Sequence, residues 1–122
     1  MALDLTPDNI ESTITDNDIV IIDFWAPWCG PCKSFGPVYD KVSEEYPDIV
    51  FSKVNTEEQQ QLGAEFNIRS IPTLMVFREQ IIVFSQAGAL PESALHQLIG
   101  QVKELDMDNV REEIAKQQAQ QG

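Results

Sequence analysis

The sequence predicts an α/β fold: one domain with a central mixed sheet and helices on both of its faces. Three observations predict it. β-Branched apolar runs of strand length occur at 19–25, 49–55, 73–78 and 81–86. Segments with apolar residues at helical spacing separate or follow these runs. Helices alternate with strands early and two strands adjoin late, which calls for both parallel and antiparallel pairing. At 122 residues the chain can bury about two-thirds of its unfolded surface in a single core.

In order along the chain, Thr6 is placed to cap a short helix over 7–15, with Pro7 at its first position and Ile10 and Ile14 on one face. Residues 19–25, Ile-Val-Ile-Ile-Asp-Phe-Trp, form a nearly unbroken apolar run of the sort found at a sheet centre. From Cys29 to about Tyr46, the residues Phe35, Val38, Tyr39, Val42 and Tyr46 recur at helical spacing and read as core. Pro37, with Gly36 before it weakening the helix further, should kink this segment. Residues 49–55 form the next strand. Thr56 then caps a helix, with Gln59 at the capping-box position and Leu62 and Phe66 facing inward. Strands 73–78 and 81–86 form a hairpin, although Glu79-Gln80 lacks the Gly or Asn that a two-residue turn prefers. Pro91 opens a helix with Leu95, Leu98, Ile99, Val102 and Leu105 on one face.

The formal charge of −12, with only 8 Lys and Arg in no cluster, argues against nucleic-acid or anionic-membrane binding. No apolar stretch approaches the roughly 20 residues that span a bilayer. The N-terminus, Met1-Ala2-Leu3-Asp4-Leu5-Thr6-Pro7, lacks the basic and apolar regions of a signal peptide, so a cytoplasmic location is expected.

The two cysteines, Cys29 and Cys32, are the only ones, and they follow a strand and open a helix. That is the setting of a redox dithiol. A free thiol has a pKa of about 8.5, and the unpaired N–H groups and dipole at a helix N-terminus favour its thiolate. Cys29 sits where that field is strongest and takes the attacking role. Cys32, one turn further in, resolves the mixed disulfide that Cys29 forms. Gly30 lets the backbone pass closely, and Pro31 suits the first helical turn, where its missing N–H costs nothing. A structural disulfide is a weaker alternative, because so short a loop constrains the unfolded chain little. Zinc is weaker still: one cysteine pair and a remote His96 do not make a four-ligand site, and no metal is expected.

Trp28-Cys29-Gly30-Pro31-Cys32-Lys33, with Asp23-Phe24-Trp25-Ala26 before it and Ile71-Pro72-Thr73 after it, resembles the thioredoxin family in order and spacing from about Leu5 to about Val102. The resemblance implies the thioredoxin fold, a mixed five-stranded sheet flanked by helices. It also implies roles. Asp23 corresponds to the buried aspartate that exchanges a proton with the inner cysteine, and an ionisable group in an apolar strand needs such a reason. Lys53 corresponds to the lysine on the neighbouring strand that tunes it. Pro72 corresponds to the family's cis-proline facing the disulfide, and the backbone of Ile71 to the edge that pairs with an extended substrate segment. Trp28, Gly30, Ile71, Pro72, Gly88 and Ala89 would then form an apolar rim around Cys29, with Trp25 packed under the active-site loop. The family's last helix should end near Val102 to Leu105. This gives a domain over 1–105 and an extension over 106–122. In the extension, Met107, Val110 and Ile114 make the stripe of a short extra helix, and Lys116 to Gly122 reads as a polar, frayed tail. Docking on the domain or simple extension is favoured for it over partner binding.

The activity implied is that of a general protein-disulfide reductase acting on disulfide-containing client proteins. Its electrons would come from NADPH through thioredoxin reductase, with no cofactor bound to this chain and a monomeric state expected. Gly30-Pro31 matches the reducing branch of the family, where oxidising relatives often carry His. An exported disulfide oxidase or isomerase, and a non-enzymatic binding or subunit module, are the alternatives.

Overall fold

The computed structural model describes residues 2–121. Its elements are β1 (Leu3–Asp4), α1 (Ile10–Asp16), β2 (Ile19–Trp25), α2 (Gly30–Ser43), β3 (Val50–Asn55), α3 (Gln60–Glu65), β4 (Thr73–Arg78), β5 (Ile81–Ala87), α4 (Glu92–Glu104) and α5 (Met107–Gln121). The five strands form one sheet in the order β1-β3-β2-β4-β5. β1 and β2 run parallel to β3, while β4 is antiparallel to β2 and β5 to β4. The sheet is therefore mixed, as expected, and β2 lies at its centre. The short β1 has no apolar periodicity of its own, and only the family's five-strand count implies it.

Alternation along the strands divides the core into two layers. Ile19 and Ile21 face α2 and α4, joining Phe35, Tyr39, Val42, Phe51, Leu95 and Ile99. Val20, Ile22 and Phe24 face the other way, toward Leu5, Ile10, Val54, Leu62 and Met75. Tyr39 is fully buried, and its hydroxyl lies 2.9 Å from the carbonyl of Ile21 and 2.8 Å from that of Ser52. It also accepts from the Ser52 N–H at 3.2 Å. A phenol buried at this depth thus finds its partners in the backbone of two strands, pinning α2 to the sheet.

Several boundaries differ from the sequence expectation. α1 begins at Ile10, because a turn over Thr6 to Asn9 precedes it; Thr6 Oγ1 accepts from the Asp8 N–H instead of capping the helix. α2 continues through Pro37 and stops at Ser43, three residues short of Tyr46. Thr56 does not cap α3: its hydroxyl donates to the Trp25 carbonyl at 3.0 Å, and Asn55 Oδ1 receives the N–H groups of Glu57 and Glu58. The helix starts only at Gln60. The hairpin forms as expected, with Glu79 and Gln80 both left-handed at φ 50° and 69°. A two-residue turn of this hand requires that conformation at both positions. The Glu79 N–H donates to the Asp18 carbonyl, and its carboxylate pairs with Arg111. Neighbouring elements thus hold a turn that local chemistry does not favour.

The extension is a longer helix than expected. α5 runs through the Gln-rich stretch to Gln121, because Ala, Gln, Lys and Glu are all good helix formers. Met107 is buried, so its first turn does dock on the domain. Arg78 fixes the junction, its Nη1 donating to the carbonyls of Val102, Lys103 and Leu105 at the end of α4. They lie where a helix runs out of its own N–H donors, although the Val102 carbonyl also accepts from the Leu105 N–H at 3.3 Å.

Candidate active site

Strand β2 ends at Trp25, and three residues of loop carry the chain to Cys29 at the N-cap of α2. Thr56 grips this end of β2, both its N–H and its hydroxyl donating to the Trp25 carbonyl. Cys29 and Cys32 are joined in a disulfide. The Cys32 N–H lies 3.2 Å from Cys29 Sγ, so a first-turn amide that would otherwise be orphaned points at that sulfur. This donor and the helix dipole stabilise negative charge on Cys29 when the bond opens. Pro31 follows in the first turn, where the lack of an N–H is harmless.

Both cysteines are buried, at 5% and 3% exposure, in a small cluster with Ala26, Trp25 and Ile71. Cys29 Sγ lies 3.8 Å from the Ile71 carbonyl. The Ile71-Pro72 bond is cis. Pro72 is itself buried, and its carbonyl accepts from the Gly88 N–H at 2.8 Å. Gly88 has φ +106°, a conformation open to glycine and rarely to other residues. The segment that delivers Ile71 starts from α3, whose end is closed by Asn67 in the left-handed region: Asn67 N–H donates to Ala64, and Ile68 N–H to Gly63.

Around this buried pair the surface is open and apolar on one side. Trp28 is 68% exposed, an unusual state for so large a ring. With Ile71, Thr56, Gly63 and Ile68 it lines a shallow groove of about 410 Å³. The structure therefore brings Trp28, Cys29, Cys32, Ile71, Pro72 and Gly88 together. Gly30 and Ala89 are exposed on flanking backbone.

Asp23 lies on the α2-facing side of β2, two residues before Trp25. It is 1% exposed, and its Oδ1 has no hydrogen-bond partner. Burial pushes its pKa from 3.8 up to about 7; Lys53 opposes this rise and Asp40 adds to it. Lys53 stands opposite Asp23 in the β2–β3 register, and its Nζ sits 6.0 Å from the Trp25 ring and 3.5 Å from Asp40 Oδ1. Sequence reasoning misses Asp40, although a signal exists: a carboxylate beside the core position Tyr39, on the helix that carries Cys32. Among the described residues no group of three His, Cys, Asp or Glu could hold a metal ion.

This site has counterparts in known proteins. A family model described as thioredoxin matches residues 1–101. The chain is 60% identical over 120 residues to a protein named putative thioredoxin 2 from Streptomyces coelicolor, covering 98% of this chain and 90% of that one. It is 41% identical over 100 residues to thioredoxin 1 of Nostoc sp., covering 80% and 94%. Among solved structures, a mutant thioredoxin from Halobacterium salinarum superposes with TM-score 0.79 at 33% identity, covering 85% of this chain and 92% of that one. Plasmodium falciparum thioredoxin gives 0.76 at 39%, covering 82% and 98%. The chain belongs to the thioredoxin family and is a thiol–disulfide oxidoreductase.

Proposed function

We propose that this thioredoxin-family chain is a general protein-disulfide reductase of the cytoplasm, working as a monomer on disulfide-containing clients and recharged by NADPH through thioredoxin reductase. One observation carries the reading: a disulfide at a helix N-terminus, buried among apolar groups but bordered by exposed Trp28 and the backbone of Ile71. In the reduced protein, the Cys29 thiolate attacks a client disulfide, forms an S–S bond to one client sulfur and expels the other as a thiolate. Asp23 takes the Cys32 proton. The Cys32 thiolate then attacks Cys29 Sγ and releases the second client thiolate, so two electrons pass to the client and the Cys29–Cys32 bond closes. Asp23 and Lys53 serve this proton step. Trp28, Gly30, Ile71, Pro72, Gly88 and Ala89 receive the client, with Pro31 and Trp25 shaping the loop. Residues 1–105 act as the redox domain and 106–122 as an appendage to it.

The pKa of Asp23, raised to about 7, suits this task, because a base works best when its pKa lies near the operating pH. The test is NADPH-dependent insulin reduction with a thioredoxin reductase. The native chain should turn over, and Cys29→Ser should lose about 10³-fold or more. Activity that survives Cys29→Ser with Cys32→Ser would instead favour a binding module.

A further inference from the structure

One ammonium acts on two carboxylates, on Asp40 through an ion pair and on Asp23 at longer range. Lys53 Nζ lies 3.5 Å from Asp40 Oδ1, and no ion pair joins it to Asp23 among the described residues, although Asp23 is its register partner on β2. Asp40 Oδ1 and Asp23 Oδ1 are both shut off from water without a hydrogen-bond partner. Asp23 is 1% exposed and Lys53 is the cation that opposes its rise in pKa, whereas the Asp40 side chain is 44% exposed and shares its charge with water. The Lys53 side chain is 21% exposed, and its ammonium pairs with Asp40 in preference to Asp23.

The surroundings leave few other charges to intervene. Toward Asp23, α2 presents Asp40 and the Tyr39 hydroxyl, which backbone groups of Ile21 and Ser52 already occupy. β4 presents Leu74, and α4 offers Leu95 and Ile99, all apolar and buried. Around Lys53 stand the Trp25 ring, Asp4 in the β1–β3 register, and Glu58 across a polar cavity of about 230 Å³.

We propose that Asp40 is a positioning residue for the proton step: by holding the Lys53 ammonium at its own carboxylate, it weakens the pull of that ammonium on Asp23 and keeps the Asp23 proton exchangeable with Cys32. Asp40 touches neither the sulfurs nor the client rim, so it acts only through Lys53 and Asp23. The influence of Asp40 on Asp23 runs the same way, upward, while that of Lys53 runs downward. Removing the Asp40 charge frees Lys53 to turn toward Asp23, and the two effects add.

This inference rests on Asp23 and Lys53 serving the proton step, and its test is independent of turnover. The Asp23 carboxyl is titrated by ¹³C NMR in the oxidised full chain, with and without Asp40→Asn, in native and Lys53→Gln backgrounds. Asp40→Asn should lower the Asp23 midpoint by about half a pH unit or more with Lys53 present. The shift should fall below half of that in Lys53→Gln, and Asp40→Glu should restore the native midpoint. An unmoved midpoint, or an equal shift in both backgrounds, overturns the inference. Because no client or reductase is present, that result leaves the reductase reading standing. Insulin reduction fails or succeeds separately.

Discussion

On the side of β2 that meets α1 and α3, Val20, Ile22 and Phe24 are wholly buried among apolar side chains. On the side that meets α2 and α4 the series begins alike, with Ile19 and Ile21, but ends in Asp23 and Trp25. Both of those carry a buried polar atom without a partner. One strand therefore supplies stability on one side and, at the far end of the other, gives some of it up. Unsatisfied buried groups are uncommon in native proteins; among the described residues Asp23, Trp25 and Asp40 carry three of them on β2 and α2, and Arg78 Nε, paired with the other end of β2, is the fourth. The difference teaches where the molecule tolerates a destabilising group for the sake of chemistry.

That contrast can be broken or sharpened. Phe24→Ala, on the apolar side, removes a fully buried ring that packs 5.8 Å from Phe66, centroid to centroid. It should cost about 3–5 kcal/mol in urea denaturation while leaving turnover per folded molecule near native. Asp23→Asn should do the reverse. The folded state holds the Asp23 proton up to about pH 7, whereas the ordinary value is 3.8. Between those values the folded state binds more protons, so stability falls as pH rises and stays low above 7. The Asn variant escapes this loss. At pH 8 it should be more stable by roughly 4 kcal/mol, with the gain vanishing below pH ~4, and release of the mixed disulfide should be slower. A stability difference between the two proteins that stays constant from acid to neutral pH would remove the distinction between the sides. The smallest of these effects belongs to Tyr39→Phe, which strips the sheet backbone of a buried partner. A loss of about 1–3 kcal/mol, read by thermal denaturation, is expected.

The apolar half of this comparison is plain in the sequence. β2 falls on residues 19–25 as expected, and β-branched runs mark β3, β4 and β5 to within a residue. The Cys29–Cys32 pair, its place at a helix start and the anomalous Asp23 can be read from residue type and spacing alone. What cannot be read depends on contacts distant in sequence. Thr56 looks like a helix cap, yet the end of β2 takes its hydroxyl. The 79–80 turn has no favoured residue, and Asp18 and Arg111 stabilise it from outside. Asp40 looks like one more surface carboxylate on an acidic chain until α2 packs it beside Lys53. α5 outruns its expected length because polarity suggests fraying, whereas its residues individually favour helix.

The most direct test of the account is the reduction potential of the Cys29–Cys32 couple, measured by equilibrating the full chain with a defined thiol buffer. A reductase of this family should lie near about −270 mV, low enough to drive electrons into client disulfides. A value above roughly −200 mV would contradict the account, because such a couple would accept electrons from most protein thiols instead of supplying them.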